Sequence, residues 1–386
     1  MAAHEIIIPA DTGAVLIVDL DAIADNFRLI RSTCPGARVG AAVKADAYGL
    51  GVGPVTRTLA EAGCDTFFVA TPAEGAHLRA TNATAEIVVL NGPTPEAIAT
   101  FLDNRLTPTL NSMPQIETWA AACRGASMQV PDAFLHVDTG MNRLGLGQGE
   151  LETILAEPAR LDGVGISTVL SHLACADTPD HPMNAAQRDG FVSACERLTP
   201  LIDPFQTSLA NSPGVFLGPA YHFDLVRPGA SLYGIRPNAN GPNPMKQVVE
   251  IHTKILQVRD VDTPMTVGYG AAHQVTGTRR IATLAAGYAD GYPRAAGTTT
   301  GNTEGSSMCA FIDGQPAPLA GRISMDLITI DVTDLAAALC RPGQAVELLG
   351  PNVSPDDLAD AAGTIAYETL CRLGPRLHLE YRGGTN

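Results

Sequence analysis

The stretch VGAAVKADAYGLGVG, residues 39–53, decides how the rest of the chain is interpreted. Its apolar run, Val39 to Val43, predicts a buried strand that ends on Lys44. Three glycines then predict a sharp turn, Gly49, Gly51 and Gly53. A lysine at the end of a buried strand loses solvation, which favours its neutral amine. Because a neutral amine can attack an aldehyde to form a Schiff base, Lys44 is a candidate nucleophile and base.

Lys44 alone is also consistent with a structural role, in which its aliphatic stem packs at a strand end and its ammonium group reaches solvent. Tyr48 and the glycines favour the functional interpretation. Glycines let the backbone approach a ligand closely, and a phenol supplies a second group that handles protons. The stretch therefore predicts a reactive lysine in a ligand site.

Composition and charge narrow the classes of function. The chain has 386 residues, of which 45% are hydrophobic and 17% charged, as expected for a globular protein large enough for two domains. A net charge of -15 argues against nucleic acid or an anionic membrane as partner. No apolar run is long enough to span a bilayer and the amino terminus lacks a basic leader, so we expect a cytoplasmic protein. The eight cysteines form no CxxC pair, which predicts reduced thiols and no metal site.

Strand and helix signals alternate along the first 240 residues. After Val15–Leu20, the residues Ile23, Phe27 and Ile30 repeat at helical spacing. From the Lys44 strand onward, the further strand candidates are Thr66–Ala70, Glu86–Leu90, Leu106–Leu110, Ala133–Asp138, Val164–Leu170, Phe205–Ala210 and Phe223–Arg227. These make about eight strand and helix units, the number that closes a parallel barrel. The same alternation also fits an open doubly wound sheet.

The positions of polar residues favour the barrel, because catalytic groups of barrels lie at the carboxyl ends of the strands. Such residues are Lys44, then Arg143 in VDTGMNRLGLG, His172 in VLSHLACAD, Asn211 and Ser212 in SLANSPG, and Arg227 in FDLVRPGASLYGI. The planar guanidinium of Arg143 suits a carboxylate or phenolate oxygen. Ser212, Gly229 and Ala230 offer a hydroxyl and backbone N–H groups where barrels commonly bind phosphate.

A linker is predicted at PNANGPNP, residues 237–244, because proline, asparagine and glycine dominate it. Beyond it, β-branched or alternating runs predict strands at Gln247–Val258, Arg280–Ala285, Met308–Ile312, Leu327–Val332 and Ala345–Leu349. We therefore predict a barrel domain over residues 1–240 and a mainly β domain over residues 241–386.

Loops of the second domain present Tyr269 in VGYGAAH, Tyr288 in GYADGYPR, and Met325 and Asp326 in GRISMD.

Segment by segment, this pattern resembles the alanine racemase family, beginning with AVKADAYGLG. The resemblance covers most of the chain and implies a TIM-type (β/α)8 barrel with a C-terminal mainly β domain, which a strand at about residues 11–20 joins. It also implies pyridoxal 5'-phosphate as cofactor, carried by Lys44. The implied reaction is the interconversion of L-alanine and D-alanine, supplying D-alanine for peptidoglycan synthesis.

The resemblance assigns roles to individual residues. Lys44 and Tyr269 match the two opposed bases of the family. The residues that match its cofactor-binding positions are Lys44, Tyr48, His172, Asn211, Ser212, Arg227, Gly229 and Ala230. Those that match its substrate-binding positions are Arg143, Tyr288, Met325 and Asp326. In the family Tyr269 and Met325 correspond to residues that act from the partner subunit, which implies a homodimer.

Three positions depart from the family pattern. His136 stands where well-known members carry a lysine modified to a carbamate, which positions the arginine that matches Arg143. Pro375 stands where some members have a tyrosine that contacts the phosphate, and Ser324 where many have cysteine. We expect the first departure to affect substrate binding or its pH response, and the second to affect phosphate affinity.

Three alternative functions stay open at this point. The first two are a racemase of broader specificity and a decarboxylase of basic amino acids with the same architecture. The segment VGYGAAH and the continuation AYGLG favour a racemase over a decarboxylase. A third is a single-domain barrel that carries the cofactor in a regulatory role, against which the long β region argues. Discrimination of alanine from serine depends on side-chain volumes near Tyr288 and Met325, since one methylene is worth only about 1 to 3 kcal/mol.

Overall fold

The structure is a computed structural model that describes residues 6–125, 130–202, 204–297 and 308–384. The chain divides into two compact units. The first, the barrel unit, comprises Ile23–Lys246, and the second, the β unit, comprises Met1–Ala22 together with Gln247–Asn386. The predicted fold class, a TIM-type barrel with a mainly β domain, is confirmed.

The strands of the barrel unit are parallel and follow one another in chain order. After β1, Ala14–Asp19, which belongs to the β unit, they are β2 Arg38–Val39, β3 Ala41–Ala42, β4 Thr66–Val69, β5 Glu86–Val89, β6 Thr107–Leu110, β7 Ala133–His136, β8 Ile166–Leu170, β9 Gln206–Ser208 and β10 Leu225–Val226. One buried cluster joins side chains from six of these strands, namely Ala42, Phe68, Val88, Phe134, Leu170 and Leu225. Apolar side chains from different strands therefore meet in a packed core.

The barrel closes where its eighth strand, β10, meets its first. The single predicted strand Val39–Val43 is in fact two short strands, because β2 pairs with β10 and β3 pairs with β4. Gly40 lies between them, and a Cβ there would lie 2.6 Å from the ring of Phe68. Its N–H donates to the carbonyl of Val226 at 3.0 Å. The break at Gly40 lets one segment bond to both of its neighbours.

Helices connect most of the strands, as the alternation predicts. Those of the barrel unit span Leu20–Thr33, Val52–Glu61, Pro72–Thr81, Ile98–Asp103, Met113–Gly125, Gln148–Ala156, Pro182–Leu198 and Ser212–Val215. The face of Val52–Glu61 that carries Val55 and Leu59 is buried. At the next helix, Thr71 and Glu74 form a capping box that satisfies the first backbone N–H groups.

The β unit is built on a mixed sheet with strand order β16-β15-β18-β11-β1-β19, to which β14 and β17 add through β11. Its strands are β11 Val249–Val261, β12 Thr266–Val267, β13 His273–Gln274, β14 Arg279–Leu284, β15 Cys309–Ile312, β16 Gln315–Pro318, β17 Ile328–Asp331, β18 Ala345–Leu349 and β19 His378–Arg382. Two helices, Pro355–Ala362 and Ala366–Cys371, complete it. Four of these strands, β12, β13, β16 and β19, lie outside the predicted segments. The prolines of β16 suit only an edge strand.

Strand β1 lies inside this sheet, between β11 and β19. It pairs antiparallel with β11, where Leu16 faces Ile251, and parallel with β19. Its first five residues are buried. The amino-terminal strand thus belongs to the unit formed mainly by the last third of the chain. Across the described ranges, no helix is both long and apolar enough to cross a membrane.

We predict that Gly92→Ala destabilises the barrel unit by about 3 kcal/mol, since it combines left-handed backbone strain with a steric clash. Gly92 has φ +75°, and its Cβ would lie 2.4 Å from the carbonyl oxygen of Thr109. Gly163 has φ +81° with no atom within 4 Å of such a Cβ. Gly163→Ala should therefore cost only about 1 kcal/mol. Urea unfolding of both variants measures the difference, and equal losses would contradict this account.

Candidate active site

Lys44 lies two residues after the end of β3, and the backbone after it forms a left-handed turn. Ala45, Asp46, Ala47 and Tyr48 all have φ between 54° and 59°. L-amino acids adopt this conformation at a cost of about 1–2 kcal/mol per residue, so neighbouring contacts must hold the turn. This strained turn continues into Gly49 and Gly51, whose φ values of 85° and 90° fit the turn that these glycines predict.

Two carboxylates hold this turn in place. Glu74, from the helix after β4, accepts hydrogen bonds from the backbone N–H of Ala45 at 3.0 Å and of Ala70 at 2.7 Å. Asp46 accepts one from the N–H of Val52 at 2.7 Å, which joins the turn to the following helix. The backbone beside Lys44 is thus fixed from both sides.

Arg227 is a buried cation at the end of the eighth strand. Its guanidinium donates to the hydroxyl of Ser208, to the carbonyl of Ser171 at 2.6 Å and to Nδ1 of His172 at 3.4 Å. Within the described part of the chain these partners are neutral groups rather than a carboxylate. Burial lowers the pKa of Arg227 to about 10, so the group stays charged at neutral pH. An anion or an electron-rich ring atom would complete this site.

His172 lies at the centre of the charged groups. Burial lowers the pKa of His172 well below its usual value, and the charges of Arg227, Arg143 and Lys44 lower it further. The imidazole is therefore neutral at physiological pH. Gln187, fully buried, donates to the carbonyl of His172 at 2.9 Å and so fixes the backbone of this loop.

A cradle of small groups lies between the seventh and eighth strands. The hydroxyl of Ser212 accepts hydrogen bonds from the N–H of Gly229 at 2.8 Å and of Ser231 at 3.2 Å. A Cβ on Gly229 would lie 2.4 Å from the hydroxyl of Tyr48, so only glycine fits there. Asn211 caps the next turn by accepting from the N–H of Gly214 at 3.0 Å. A hydroxyl, a phenol and backbone N–H groups form a donor set that suits phosphate oxygens.

Arg143 lies on an exposed loop after the fifth strand. The carboxylate of Asp138 anchors this loop by accepting from the N–H groups of Gly140, Met141 and Asn142, each at 2.9 Å. The backbone then returns to the strand, where the N–H of Leu146 donates to the carbonyl of His136 at 2.8 Å. The guanidinium of Arg143 is thus carried on an anchored loop close to His172.

His136 is neutral, and its proton is confined to one nitrogen. The side-chain N–H groups of Asn111 donate to the carbonyls of Leu90 and Thr109, both at 3.1 Å, so its Oδ1 faces Nδ1 of His136 at 2.8 Å. Nδ1 must therefore carry the proton, which leaves Nε2 as an acceptor. Burial lowers the pKa of His136 to about 4, with the charges of Arg227 and Arg143 acting in the same direction.

Four further predicted site residues belong to the β unit. Tyr269 is 70% exposed and lies at the tip of the hairpin formed by β12 and β13. Tyr288 begins a 3-10 turn, Tyr288–Asp290, and is 41% exposed, while Met325 is 53% exposed. Asp326, predicted to bind substrate, forms an ion pair with Arg376 at 2.6 Å.

Sequence reasoning missed the residues that support these groups. Ser208 binds the side chain of Arg227, Asn111 binds the side chain of His136, and Glu74 binds the backbone of Ala45 beside Lys44. Asn111 and Ser208 are buried polar residues. Their sequence context gives no signal of these contacts, which form between distant parts of the chain.

Known proteins resemble this chain over nearly its whole length. The family described as "Alanine racemase, N-terminal domain" matches residues 18–237, and "Alanine racemase, C-terminal domain" matches residues 248–381. An alanine racemase of Rhodospirillum rubrum is 49% identical over 372 residues, covering 96% of each chain. A catabolic alanine racemase of Mesorhizobium japonicum is 43% identical, covering 97% of this chain and 95% of the relative.

A solved structure gives the same result. The crystal structure of alanine racemase from Bartonella henselae, with covalently bound pyridoxal phosphate, matches with a TM-score of 0.89 and 35% identity. The match covers 97% of this chain and 100% of that one.

The neutral state of His136 predicts a pH-dependent contribution to stability. Between its folded pKa of about 4 and its usual value of 6.5, the unfolded chain binds a proton that the folded chain does not. Stability therefore falls as the pH decreases through this window, by up to about 1.4 kcal/mol per pH unit. His136→Gln removes this contribution, so its stability deficit relative to the parent should shrink from pH 7 to pH 4.5.

Urea unfolding across that range measures the deficit at each pH. The exposed His77 provides the control, and the deficit of His77→Gln should stay constant. A deficit of His136→Gln that also stays constant would contradict a buried neutral imidazole.

Proposed function

The chain belongs to the alanine racemase family, and on that premise we propose that it interconverts L-alanine and D-alanine with pyridoxal 5'-phosphate as cofactor. The observation that carries the proposal is the arrangement at the carboxyl ends of the barrel strands. There Lys44, the buried cation Arg227 and the neutral His172 accompany the cradle of Ser212 and Gly229.

The residues of the barrel unit fit this cofactor. The hydroxyls of Tyr48 and Ser212 and the backbone N–H of Ala230 would hold its phosphate. The N–H of Gly229 orients the Ser212 hydroxyl, and Asn211 fixes the Ser212 turn. The amine of Lys44 would bind its aldehyde carbon, and the flat ring of His172 would pack on the pyridine ring. When bound, the cofactor withdraws electrons from the α-carbon of the amino acid joined to it, which acidifies the α-proton.

Arg227 tunes this chemistry through its charge state. Its pKa of about 10 keeps the guanidinium protonated at neutral pH, so it would donate a hydrogen bond to the ring nitrogen of a bound cofactor without giving up its proton. An arginine there would make the ring a weaker electron acceptor than an aspartic acid would. Prompt return of a proton to the substrate would then be favoured over side reactions such as transamination.

Two bases must approach the α-carbon from opposite faces, since one side chain cannot readily reach both. Lys44 serves one face, and Tyr269 of the partner subunit in a homodimer serves the other. The exposure of Tyr269 at a hairpin tip supports its reaching a second chain.

Arg143 binds the substrate carboxylate, and Tyr288, Met325 and Asp326 bind the remainder of the substrate, with Met325 also from the partner subunit. A carbamate, as in well-known members, would bring a negative charge close to Arg143. Here His136 presents a neutral acceptor instead. No negative charge at position 136 therefore offsets that of the Arg143 guanidinium.

The direction of net reaction depends on concentrations, because the two enantiomers of alanine have equal free energy. The same catalysis can form D-alanine or consume it. We propose that this chain supplies D-alanine for peptidoglycan synthesis, which consumes D-alanine and so draws the reaction forward.

We predict that Lys44→Ala abolishes the visible absorbance of the bound cofactor and lowers racemase turnover by at least about 10²–10⁴-fold. The chain has only three lysines, Lys44, Lys246 and Lys254, so a matched control is available. Lys246 forms an ion pair with Asp25 at 2.6 Å on the surface, and Lys246→Ala should keep both absorbance and turnover.

Borohydride reduction followed by peptide mapping provides a readout that does not depend on activity. The cofactor mass should be found on the peptide that contains Lys44. Its recovery on another lysine, or full turnover by Lys44→Ala, would refute the assignment.

We predict that two inactive variants, Lys44→Ala and Tyr269→Phe, restore activity when their subunits are allowed to exchange. In a mixed dimer, one site combines both substitutions and the other has an intact Lys44 and an intact Tyr269 from the opposite chain. Statistical exchange of equal amounts then gives about a quarter of the parent activity. If both bases came from one chain, no exchange would restore turnover, and the trans arrangement would be wrong.

A further inference from the structure

We propose that Arg376 is a positioning residue that fixes the turn Tyr288–Asp290 and the neighbouring Met325, and thereby sets how the substrate side chain is bound. The proposal rests on the function proposed above, in which Tyr288 and Met325 contact substrate. It concerns the β unit alone, and all of its contacts lie within that unit.

The first contact of Arg376 is with a buried carboxylate. Asp290 is only 6% exposed. One of its oxygens accepts from the N–H of Gly287 at 2.8 Å, and the other lies 3.1 Å from Nε of Arg376. A buried carboxylate is stable only when hydrogen bonds and a cation compensate its lost solvation. Arg376 therefore stabilises the turn that begins with Tyr288.

The second contact of Arg376 reaches another loop. Its Nη1 donates to Asp326 at 2.6 Å, and Asp326 follows Met325 directly in the chain. The fork of a guanidinium can bind two carboxylates at once in a fixed geometry, whereas the single ammonium group of lysine cannot reproduce this. One side chain thus links the loop of Tyr288 with the loop of Met325.

Backbone contacts hold the two loops against each other. The N–H of Tyr288 donates to the carbonyl of Ser324 at 3.0 Å, and that of Ala289 donates to the carbonyl of Met325 at 2.9 Å. The segment that carries Arg376 is fixed as well, because the N–H of Gly374 donates to the carbonyl of Asp290 at 3.0 Å. A displacement of either carboxylate is therefore transmitted to both substrate-binding side chains.

This arrangement assigns Arg376 to substrate binding rather than to proton transfer. It contacts the supports of Tyr288 and Met325, and neither of its partners is a proposed base. Loosening the two loops would weaken interactions with the substrate in its ground and transition states alike, which raises KM more than it lowers kcat. It would also relax discrimination between alanine and the larger serine.

The test compares Arg376→Gln with Arg376→Lys in the dimeric, cofactor-loaded enzyme. For Arg376→Gln we expect KM for alanine to rise about 10-fold, with kcat within about threefold of the parent. The ratio of kcat/KM for serine to that for alanine should increase. Arg376→Lys should fall between the parent and Arg376→Gln in both measurements, because an ammonium group can still compensate Asp290.

Arg372→Gln is the matched control. Arg372 lies on the same segment, and its side chain pairs with Glu368 at the surface. This variant should leave KM and the serine to alanine ratio unchanged. Hydrogen exchange of residues 287–290, followed by mass spectrometry, should be faster in Arg376→Gln and unchanged in Arg372→Gln. The visible absorbance of the cofactor should be unchanged in each variant, since the proposed cofactor-binding residues belong to the barrel unit.

The possible results distinguish a failure of the positioning role of Arg376 from a failure of the proposed racemase function. A parent enzyme that racemises neither alanine nor serine refutes the proposed function and this role with it. An active parent combined with unchanged KM and an unchanged serine to alanine ratio in Arg376→Gln overturns the positioning role alone. If Arg376→Gln does not fold, the same two ratios measured for Arg376→Lys decide the question.

Discussion

The closure of the barrel is the constraint on which the candidate site depends. The N–H of Arg38 donates to the carbonyl of Asp224, and the N–H of Ala42 to that of Pro228, both at 2.8 Å. These bonds join the beginning of the barrel to its end. They bring the turn after Lys44 against the loop that contains Gly229. The segment of Lys44 and the cradle of Ser212 and Gly229, distant in the sequence, become neighbours for this reason.

Much of the fold follows from the pattern of the sequence. Alternating strands and helices predict a parallel barrel, and the β-branched runs after residue 244 predict a mainly β unit, as found. The positions of His172 and Arg227 could be predicted because the carboxyl ends of parallel strands lie on one side of a sheet. The common location of these two residues therefore follows from the order of the strands along the chain, which can be predicted from the sequence.

Other features of the candidate site depend on contacts between residues that are distant in the sequence. Such contacts could not be predicted from local sequence patterns. Nothing in ADAY indicates four successive left-handed residues, because the turn is held by contacts with Glu74 and Val52, which lie outside it. The proton position on His136 is fixed by Asn111 from another strand. The motif of Asp326 gives no sign of its ion pair with Arg376, which lies fifty residues later in the chain.

The position of β1 has a consequence for how the protein is made. This apolar strand, AVLIVD, is synthesised before the barrel, but its partners β11 and β19 are synthesised only after it. Domains generally fold as units during synthesis, so the barrel can form while β1 still lacks both neighbours. An unpaired apolar strand is prone to aggregate. The nascent chain should therefore depend on chaperones until its last strand, β19, emerges.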